Sequence, residues 1–260
     1  MNQIVKKQTV VNDLLITYYV GAGSKKNPPI LFLHGWRSQS TLWFSVASPL
    51  VETGHTCILL DLPGFGESQK PGNPWTHTDY CELVTAFCEK LKLSPIVLIG
   101  HSFGGSIGIR LAAKSPHLIE KLLLVDSSGI RKKTIKRSVK QIIAKFLKPI
   151  FLMPFLRPIK MKIYQRMGAE DYLATPELQQ TYLNVIKEDL TPLLSQISTP
   201  TLILWGENDK ETPVSFANTM HNLIPHSQLR VFTQTGHFSF LDKPKEFVDA
   251  VEKFIEKDAL

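Results

Sequence analysis

Short apolar runs alternate with segments of helical length along most of this chain, and that alternation restricts the folds it can adopt. Continuous apolar runs are typical of strands buried on both faces of a sheet, and strands alternating with helices form parallel βαβ units. We therefore predict an α/β fold, with a mostly parallel eight-stranded sheet and helices on both of its faces. The predicted strands are a hairpin over residues 9–20 and the runs 30–33, 56–61, 95–100, 121–126, 201–205 and 229–232. The predicted helices are 40–51, 78–91, 103–114, 214–223 and 244–257.

The alternation is interrupted once, over residues 128–199, where no run is typical of a strand. Apolar residues recur in this segment with helical spacing, which predicts a helical cap. The parts on either side, 1–127 and 200–260, are then the two halves of the core domain. Open α/β sheets bind ligands at the carboxyl ends of their strands, so we expect the cap to cover that edge. The residues with helical spacing are Ile135, Val139, Ile142, Ile143 and Phe146.

The motif G-x-S-x-G spans residues 100–104, between a predicted strand and a predicted helix. In this setting it predicts a nucleophile elbow, a tight turn that projects the hydroxyl of Ser102. Its glycines allow the strand and the helix to approach closely. The free N–H groups at the start of the helix suit a developing oxyanion. The alternative is a serine that only caps the helix.

A serine hydroxyl needs a neighbouring base before it can act as a nucleophile, and His237 is the predicted base. It follows the last predicted strand, in a loop that can reach the carboxyl edge of the sheet. Asp209, in the loop after the penultimate strand, is the predicted acid that orients the imidazole. Ser102, Asp209 and His237 occur in the chain order expected of such a triad. Asp126, at the end of the strand before the cap, remains the alternative acid.

Two backbone N–H groups are needed to stabilise an oxyanion in acyl transfer. Phe103 follows the nucleophile and is predicted to supply one of them. Trp36, in the loop after the run 30–33, is predicted to supply the second. The sequence leaves open whether the Trp36 ring lines the pocket or packs in the core.

The remaining histidines are expected to play lesser parts. His34 and His101 flank motif glycines, which favours local structural roles, and His34 is also a predicted pocket residue. Apolar cap residues, namely Phe146, Phe151 and Phe155, are predicted to line the pocket for an acyl or aromatic substrate, unless they only pack on the core. The histidines predicted to be exposed are His55, His77, His117, His221 and His226.

With these residues identified, the chain resembles the α/β-hydrolase superfamily over nearly its whole length. The resemblance implies a serine hydrolase that cleaves a carboxylic ester through an acyl-enzyme, like the compact capped carboxylesterases, and that needs no metal or organic cofactor. Carbon–carbon bond hydrolases of ring-cleavage products share the pattern, and a receptor that keeps the fold without turnover is a further alternative. Epoxide hydrolases and haloalkane dehalogenases use an aspartate nucleophile, so Ser102 excludes them. The motifs that carry the resemblance are His34-Gly35, the turn over 61–68, the elbow over 100–104, the loop over 205–209 and Gly236-His237.

The net charge of +7 is concentrated in one segment. Residues 129–190 hold 13 basic and 5 acidic side chains, against 30 and 23 in the whole chain, so the predicted cap carries the excess. A basic cap would suit an acidic carrier protein or an anionic membrane surface, although most such charge is simply solvated. No recognition motif supports nucleic-acid binding. The basic residues at its start are Arg131, Lys132, Lys133, Lys136, Arg137 and Lys140.

The cysteines and the hydropathy of the chain indicate the cellular compartment in which the protein is expected. Cys57, Cys81 and Cys88 are an odd number without C-x-x-C spacing, which argues against a disulfide scaffold and a zinc site and fits a reducing compartment. We find no secretory signal and no apolar run near the roughly 20 residues that a membrane span requires. The expectation is a cytoplasmic protein that acts on a small-molecule or acyl substrate.

Overall fold

The computed structural model describes residues 3–131, 171 and 174–256, and a single sheet runs through it. Its strands are β1 (Ile4–Val11), β2 (Leu14–Gly21), β3 (Ile30–Leu33), β4 (Cys57–Leu60), β5 (Ile96–His101), β6 (Ile119–Val125), β7 (Thr201–Gly206) and β8 (Ser227–Phe232). The eight strands lie in the order β1-β2-β4-β3-β5-β6-β7-β8. Only the pairs β1–β2 and β2–β4 are antiparallel, and β4 to β8 pair in parallel. The predicted mostly parallel eight-stranded sheet is therefore confirmed.

Helices cover both faces of the sheet, as predicted. They are α1 (Phe44–Glu52), α2 (His77–Leu91), α3 (Phe103–Lys114), α4 (Gln179–Lys187), α5 (Thr191–Leu194), α6 (Ser215–Leu223), α7 (Ser239–Asp242) and α8 (Pro244–Glu256). One apolar core joins the sheet to α2, α3 and α6, and a second joins it to α1, α7 and α8. Residues of β3 alternate between the two cores, because successive side chains of a strand point to opposite faces. Leu31 and Leu33 belong to the first core, and Ile30 and Phe32 to the second.

The hairpin turn at Asn12 and Asp13 has φ values of 47° and 60°. Both lie in the left-handed region, which asparagine and aspartate tolerate better than other side chains do, and two such residues make the tight turn that joins twisted strands. The sequence thus predicted the turn. It placed the start of the hairpin too late, since β1 begins at Ile4, where charged residues hide the strand pattern.

The predicted cap lies largely outside the described residues. Of the segment 128–199, the structure describes 128–131, 171 and 174–199, and this part contains α4 and α5 but no strand. Leu178, Val185, Leu190 and Leu194 are buried against the first core, so the end of the segment packs on the sheet domain. Within the described residues, no helix is long and apolar enough to cross a membrane.

Candidate active site

Ser102 stands alone between the last residue of β5 and the first residue of α3. Its backbone has φ 49° and ψ −110°, a combination that a non-glycine residue rarely adopts. The flanking glycines permit this sharp turn. A Cβ on Gly100 would stand 2.4 Å from the Gly104 carbonyl oxygen, and one on Gly104 would stand 2.4 Å from the carbonyl oxygen of Leu33. The elbow that the motif predicts is therefore a strained turn that glycine makes possible.

A cavity of about 600 Å³ opens above this turn at the carboxyl edge of the sheet. The Ser102 hydroxyl is partly exposed and has no hydrogen-bond partner within the described part of the chain. The ring of Trp36 lines the cavity and also packs against Phe65 and Phe103, at centroid distances of 4.8 and 5.4 Å. The two alternatives for this ring, pocket wall and core packing, thus both apply. Further lining side chains are Arg37, Ser128, Tyr182, Lys210, Glu211 and Thr212.

Asp209 and His237 form a buried pair beside this cavity. The distance from Nδ1 of His237 to Oδ2 of Asp209 is 2.8 Å. The other oxygen of Asp209 accepts hydrogen bonds from the backbone N–H groups of Glu211 and Thr212, and the Thr212 hydroxyl donates to Oδ2 at 2.7 Å. Burial alone would raise the pKa of Asp209, but the hydrogen bonds from His237 and Thr212 outweigh it and leave that pKa lowered.

The second nitrogen of His237 faces a residue that the sequence did not single out. Nε2 lies 3.3 Å from Oε2 of Glu211, and no hydrogen bond joins His237 to the Ser102 hydroxyl in the residues described. Burial opposes the charged form of His237. The hydrogen bond to Asp209 and the charges of Asp209, Glu211 and Asp126 outweigh burial, so the pKa of His237 is raised.

His101 connects the elbow to the loop that carries His237. Its Nε2–H donates to the backbone oxygen of His237 at 2.8 Å, and the two rings lie 4.8 Å apart. Burial and the neighbouring His237 lower the pKa of His101 to about 3, so it is a neutral donor at physiological pH. The residue before the predicted nucleophile therefore holds the backbone of the predicted base, in keeping with the structural role predicted for it.

Asp126, the alternative acid, has other partners. Its Oδ1 accepts the N–H of Gly206 at 2.7 Å, and its Oδ2 accepts the N–H and hydroxyl of Ser239 at 3.2 and 2.7 Å. Gly206 begins the loop that holds Asp209, and Ser239 follows the loop of His237. Burial raises the pKa of Asp126 to about 7 against the opposing effect of these hydrogen bonds. Asp126 thus joins the end of β6 to the end of β7 and to the start of α7, and it does not bind the imidazole.

The two predicted oxyanion donors, Trp36 and Phe103, both contribute to the cavity wall. Their backbone N–H groups make no hydrogen bond within the described part of the chain. The peptide that carries the Phe103 N–H has Ser102 O as its carbonyl oxygen. This oxygen accepts hydrogen bonds from Ser106 N at 3.2 Å, Ser128 N at 3.0 Å and Ser128 Oγ at 3.1 Å. Such bonds polarise the peptide and strengthen its N–H as a donor.

His34 is a structural residue and not part of the described cavity wall. Its Nε2 accepts the backbone N–H of Leu62 at 3.0 Å, so Nδ1 carries the proton and donates to Gly35 O at 2.7 Å. Burial lowers the pKa of His34. Both nitrogens of His34 are thus occupied inside the protein, and its role in the pocket stays a prediction.

The prediction of exposed histidines was wrong for two of them. His55 and His77 are 1% and 2% exposed. Nδ1 of His77 lies 2.8 Å from Glu188 and Nε2 lies 2.9 Å from the Ser106 hydroxyl, while Glu188 also pairs with Arg110. The partner carboxylate is 111 residues away in the chain, which is why local pattern gave no signal of this burial.

Several predicted residues lie outside the part of the chain that the structure describes. They are the pocket residues Phe146, Phe151 and Phe155 and the basic residues Lys132, Lys133, Lys136, Arg137 and Lys140. Arg131 is described, and its guanidinium donates to the Lys187 carbonyl oxygen at 2.6 Å.

Among residues 3–131, 171 and 174–256, no group of three histidine, cysteine or acidic side chains is arranged to hold a metal ion.

The sheet order, the strained serine turn and the acid–histidine pair at one edge together define an α/β hydrolase. The family model described as alpha/beta hydrolase fold matches residues 28–244, and the chain belongs to this family.

Known proteins similar to this chain include several kinds of hydrolase. A bacterial membrane phospholipase A superposes with a TM-score of 0.78 at 26% identity, over 97% of this chain and 86% of that one. A thermophilic esterase from Thermogutta terrifontis gives 0.71 at 25% identity, over 97% and 98%. The 2-hydroxy-6-oxononadienedioate/2-hydroxy-6-oxononatrienedioate hydrolase of Escherichia coli is 26% identical, over 88% of this chain and 87% of that enzyme. These relatives support hydrolase activity.

Proposed function

We propose that this protein is a serine hydrolase that cleaves a carboxylic ester through an acyl-enzyme intermediate. The observation that carries the proposal is the 2.8 Å contact between Asp209 and His237, next to a cavity that contains the elbow serine. Ser102 is the proposed nucleophile, His237 the base and Asp209 the acid that orients it. The similarity to an esterase and a phospholipase supports an ester as the substrate.

The proposed reaction has two halves. Nε2 of His237 takes the proton of Ser102 as its oxygen attacks the ester carbonyl, and the oxyanion is stabilised by the N–H groups of Phe103 and Trp36. The imidazolium then protonates the leaving alcohol as the carbon–oxygen bond breaks. In the second half, water attacks the acyl-enzyme, gives its proton to His237, and releases the acid while Ser102 recovers its proton. Asp209 holds the imidazole in the required tautomer throughout.

The wall of the cavity indicates the type of substrate. Trp36 and Tyr182 stand 5.3 Å apart and present an aromatic surface, with Val185 and Ile186 beside them. Sites that bind small organic molecules combine apolar and aromatic walls with polar groups that orient the ligand. An apolar acyl chain fits the aromatic part of this lining, and the charged side chains in the same wall have both signs: Arg37, Lys210, Asp171 and Glu211.

A direct test combines active-site labelling with a substrate series. A fluorophosphonate probe should label wild-type protein and Ser45→Ala, a surface control on α1, but not Ser102→Ala. The p-nitrophenyl esters of increasing acyl length should then be cleaved with an optimum that reports the depth of the pocket. Folded wild-type protein that resists the probe would instead favour the receptor alternative.

A second candidate is a carbon–carbon bond hydrolase with the same residues. The similarity to the Escherichia coli enzyme favours it, as does Lys210, a cation in the cavity wall that is suited to a carboxylate-bearing substrate. Rapid consumption of a vinylogous diketone without turnover of simple esters would select this candidate over the ester hydrolase.

A further inference from the structure

Glu211 is an acidic residue in the wall of the cavity, two positions after Asp209. Its backbone N–H donates to Oδ1 of Asp209 at 2.8 Å, which fixes the start of its side chain relative to the buried pair. The side chain is 66% exposed, and its Oε2 comes within 3.3 Å of Nε2 of His237. In the proposed reaction, Nε2 takes the proton of the Ser102 hydroxyl. Glu211 therefore lies beside the nitrogen with which His237 must act as a base.

This contact adds a second negative charge beside the imidazole, after that of Asp209. An ionised carboxylate can only accept hydrogen bonds. Asp209 is hydrogen-bonded to Nδ1 and the Glu211 carboxylate lies 3.3 Å from Nε2, so negative charge beside both ring nitrogens favours the imidazolium over the neutral ring. An imidazolium has no lone pair with which to deprotonate a serine. The two carboxylates therefore favour the form of His237 that is inactive as a base.

We propose that Glu211 is a positioning residue that holds His237 in this charged form until an ester enters the cavity and displaces it. The proposal rests on the proposed serine hydrolase function. Because the Glu211 side chain is largely exposed, it can swing into water and leave Nε2 to Ser102 at little energetic cost. Glu211 would thereby raise the pH at which the base becomes active in the free enzyme.

Other charged groups also lie near His237, and their effects on its protonation must be distinguished from the effect of Glu211. Asp209 is bonded to Nδ1, and Asp126 lies buried at the end of β6. His101 is neutral, because burial lowers its pKa to about 3. On the open side, Lys210 lines the cavity, and the ion pair between Arg37 and Asp171, at 3.1 Å, lies across it. Among the charged side chains described, Glu211 is the one in contact with Nε2.

The test is a titration of His237 that does not depend on turnover. The imidazole of His237 is followed by NMR in wild type, Glu211→Gln and Glu120→Gln, with His237→Gln used to assign the signal. Glu120→Gln makes the same charge change at an exposed site on β6, at the opposite end of the strand from the cavity. We expect Glu211→Gln to lower the pKa of His237 and Glu120→Gln to leave it near that of wild type.

The same variants should differ in reactivity. Below the His237 pKa, fluorophosphonate should inactivate Glu211→Gln about two- to fivefold faster than wild type, the range that exposed ion pairs produce. The difference should disappear at high pH, where the imidazole is neutral in both proteins. A His237 titration that is the same in Glu211→Gln and wild type would overturn the proposal. If the probe labels no variant at all, the proposed function fails, whereas the titration still decides the role of Glu211.

Discussion

Asp209 and Asp126 are two carboxylates at neighbouring strand ends, and their surroundings give them different properties. Asp209 faces a basic imidazole and accepts hydrogen bonds that stabilise its charge, so its pKa is lowered. Asp126 is fully buried and, among the described residues, accepts hydrogen bonds only from the neutral groups of Gly206 and Ser239, and its pKa is raised to about 7. The side chain that can stabilise an imidazolium is the one that stays ionised.

Substituting the two acids separately should affect different properties: Asp209 mainly activity, and Asp126 mainly stability. Asp209→Asn should lower kcat about 10⁴-fold with little loss of stability, as removal of the orienting charge does in a serine triad. Asp126→Asn should cost about 1–3 kcal/mol of stability, because an amide group facing Ser239 would leave a buried N–H without an acceptor. Steady-state kinetics and thermal unfolding measure the two effects. A larger loss of kcat in Asp126→Asn than in Asp209→Asn would assign the acid to Asp126.

Single residues differ in how far sequence could identify them. Ser102 is predictable because its motif is local and has a fixed relation to the elbow. The acid remained a choice between Asp209 and Asp126, since both follow strands and only the hydrogen-bond partners distinguish them. Glu211 was missed because its contact depends on a side-chain conformation, and His77 because its partner lies far away in the chain.

Between elements, the elbow is held by bonds from three directions. Ser102 N donates to Val125 O of β6, and Ser102 O accepts from Ser106 of α3 and twice from Ser128, just beyond β6. A backbone at φ 49° costs of order 1–3 kcal/mol, and it persists only where its surroundings determine it. Ser128 therefore supports both the position of the nucleophile and the polarity of the Phe103 N–H.

Removing the Ser128 hydroxyl should weaken catalysis more than binding. Ser128→Ala is expected to lower kcat about fivefold, which corresponds to one net hydrogen bond, with KM nearly unchanged. Ser128→Thr keeps the hydroxyl and should restore most of the rate, and Ser45→Ala on the surface should have no effect. The kcat and KM of the three variants are compared by steady-state kinetics with one p-nitrophenyl ester. An equal loss in Ser128→Ala and Ser128→Thr would mean that the site responds to local packing.

The contact between α3 and β3 depends on a glycine. A Cβ on Gly104 would stand 2.4 Å from the Leu33 carbonyl oxygen, whereas one on Gly72 would meet nothing within 4 Å. Gly104→Ala should therefore destabilise the fold by about 1–3 kcal/mol, through overpacking of a backbone that cannot move freely. Gly72→Ala is the matched control and should leave the unfolding temperature nearly unchanged. Similar unfolding temperatures for the two variants would contradict this account of the elbow.

For the molecule as a whole, the sequence predicted the positions of the strands well. It predicted that the sheet is mostly parallel, but not the order of its strands. Apolar runs mark the central strands to within about two residues because both faces are buried. Local pattern carries no information on which strands are neighbours, and thus none on distances within the site. The parallel arrangement nevertheless brings the carboxyl ends of β3, β5, β6, β7 and β8 to one edge, where Trp36, Ser102, Asp126, Asp209 and His237 follow.

This convergence should make activity and stability change in opposite directions with pH. The pKa of His237 is raised above its ordinary value of 6.5, so the folded protein binds this proton more tightly than the unfolded chain. The resulting stabilisation is fully present below 6.5 and is lost as pH rises through the folded-state pKa. The reaction needs the neutral imidazole, so kcat/KM should rise over that same interval.

Wild type and His237→Gln together isolate this contribution. Between about pH 5 and 9, the advantage of wild type over His237→Gln in unfolding temperature should shrink as pH rises, while kcat/KM of wild type increases to a plateau. Asp126 also titrates in this interval, with a pKa of about 7, but it is present in both proteins, so the comparison reports mainly on residue 237. Unfolding temperatures that stay parallel across the interval would show that the Asp209–His237 pair does not couple protonation to folding. The raised pKa inferred from its contacts would then be wrong, and kcat/KM would rise around the ordinary imidazole pKa of 6.5 instead.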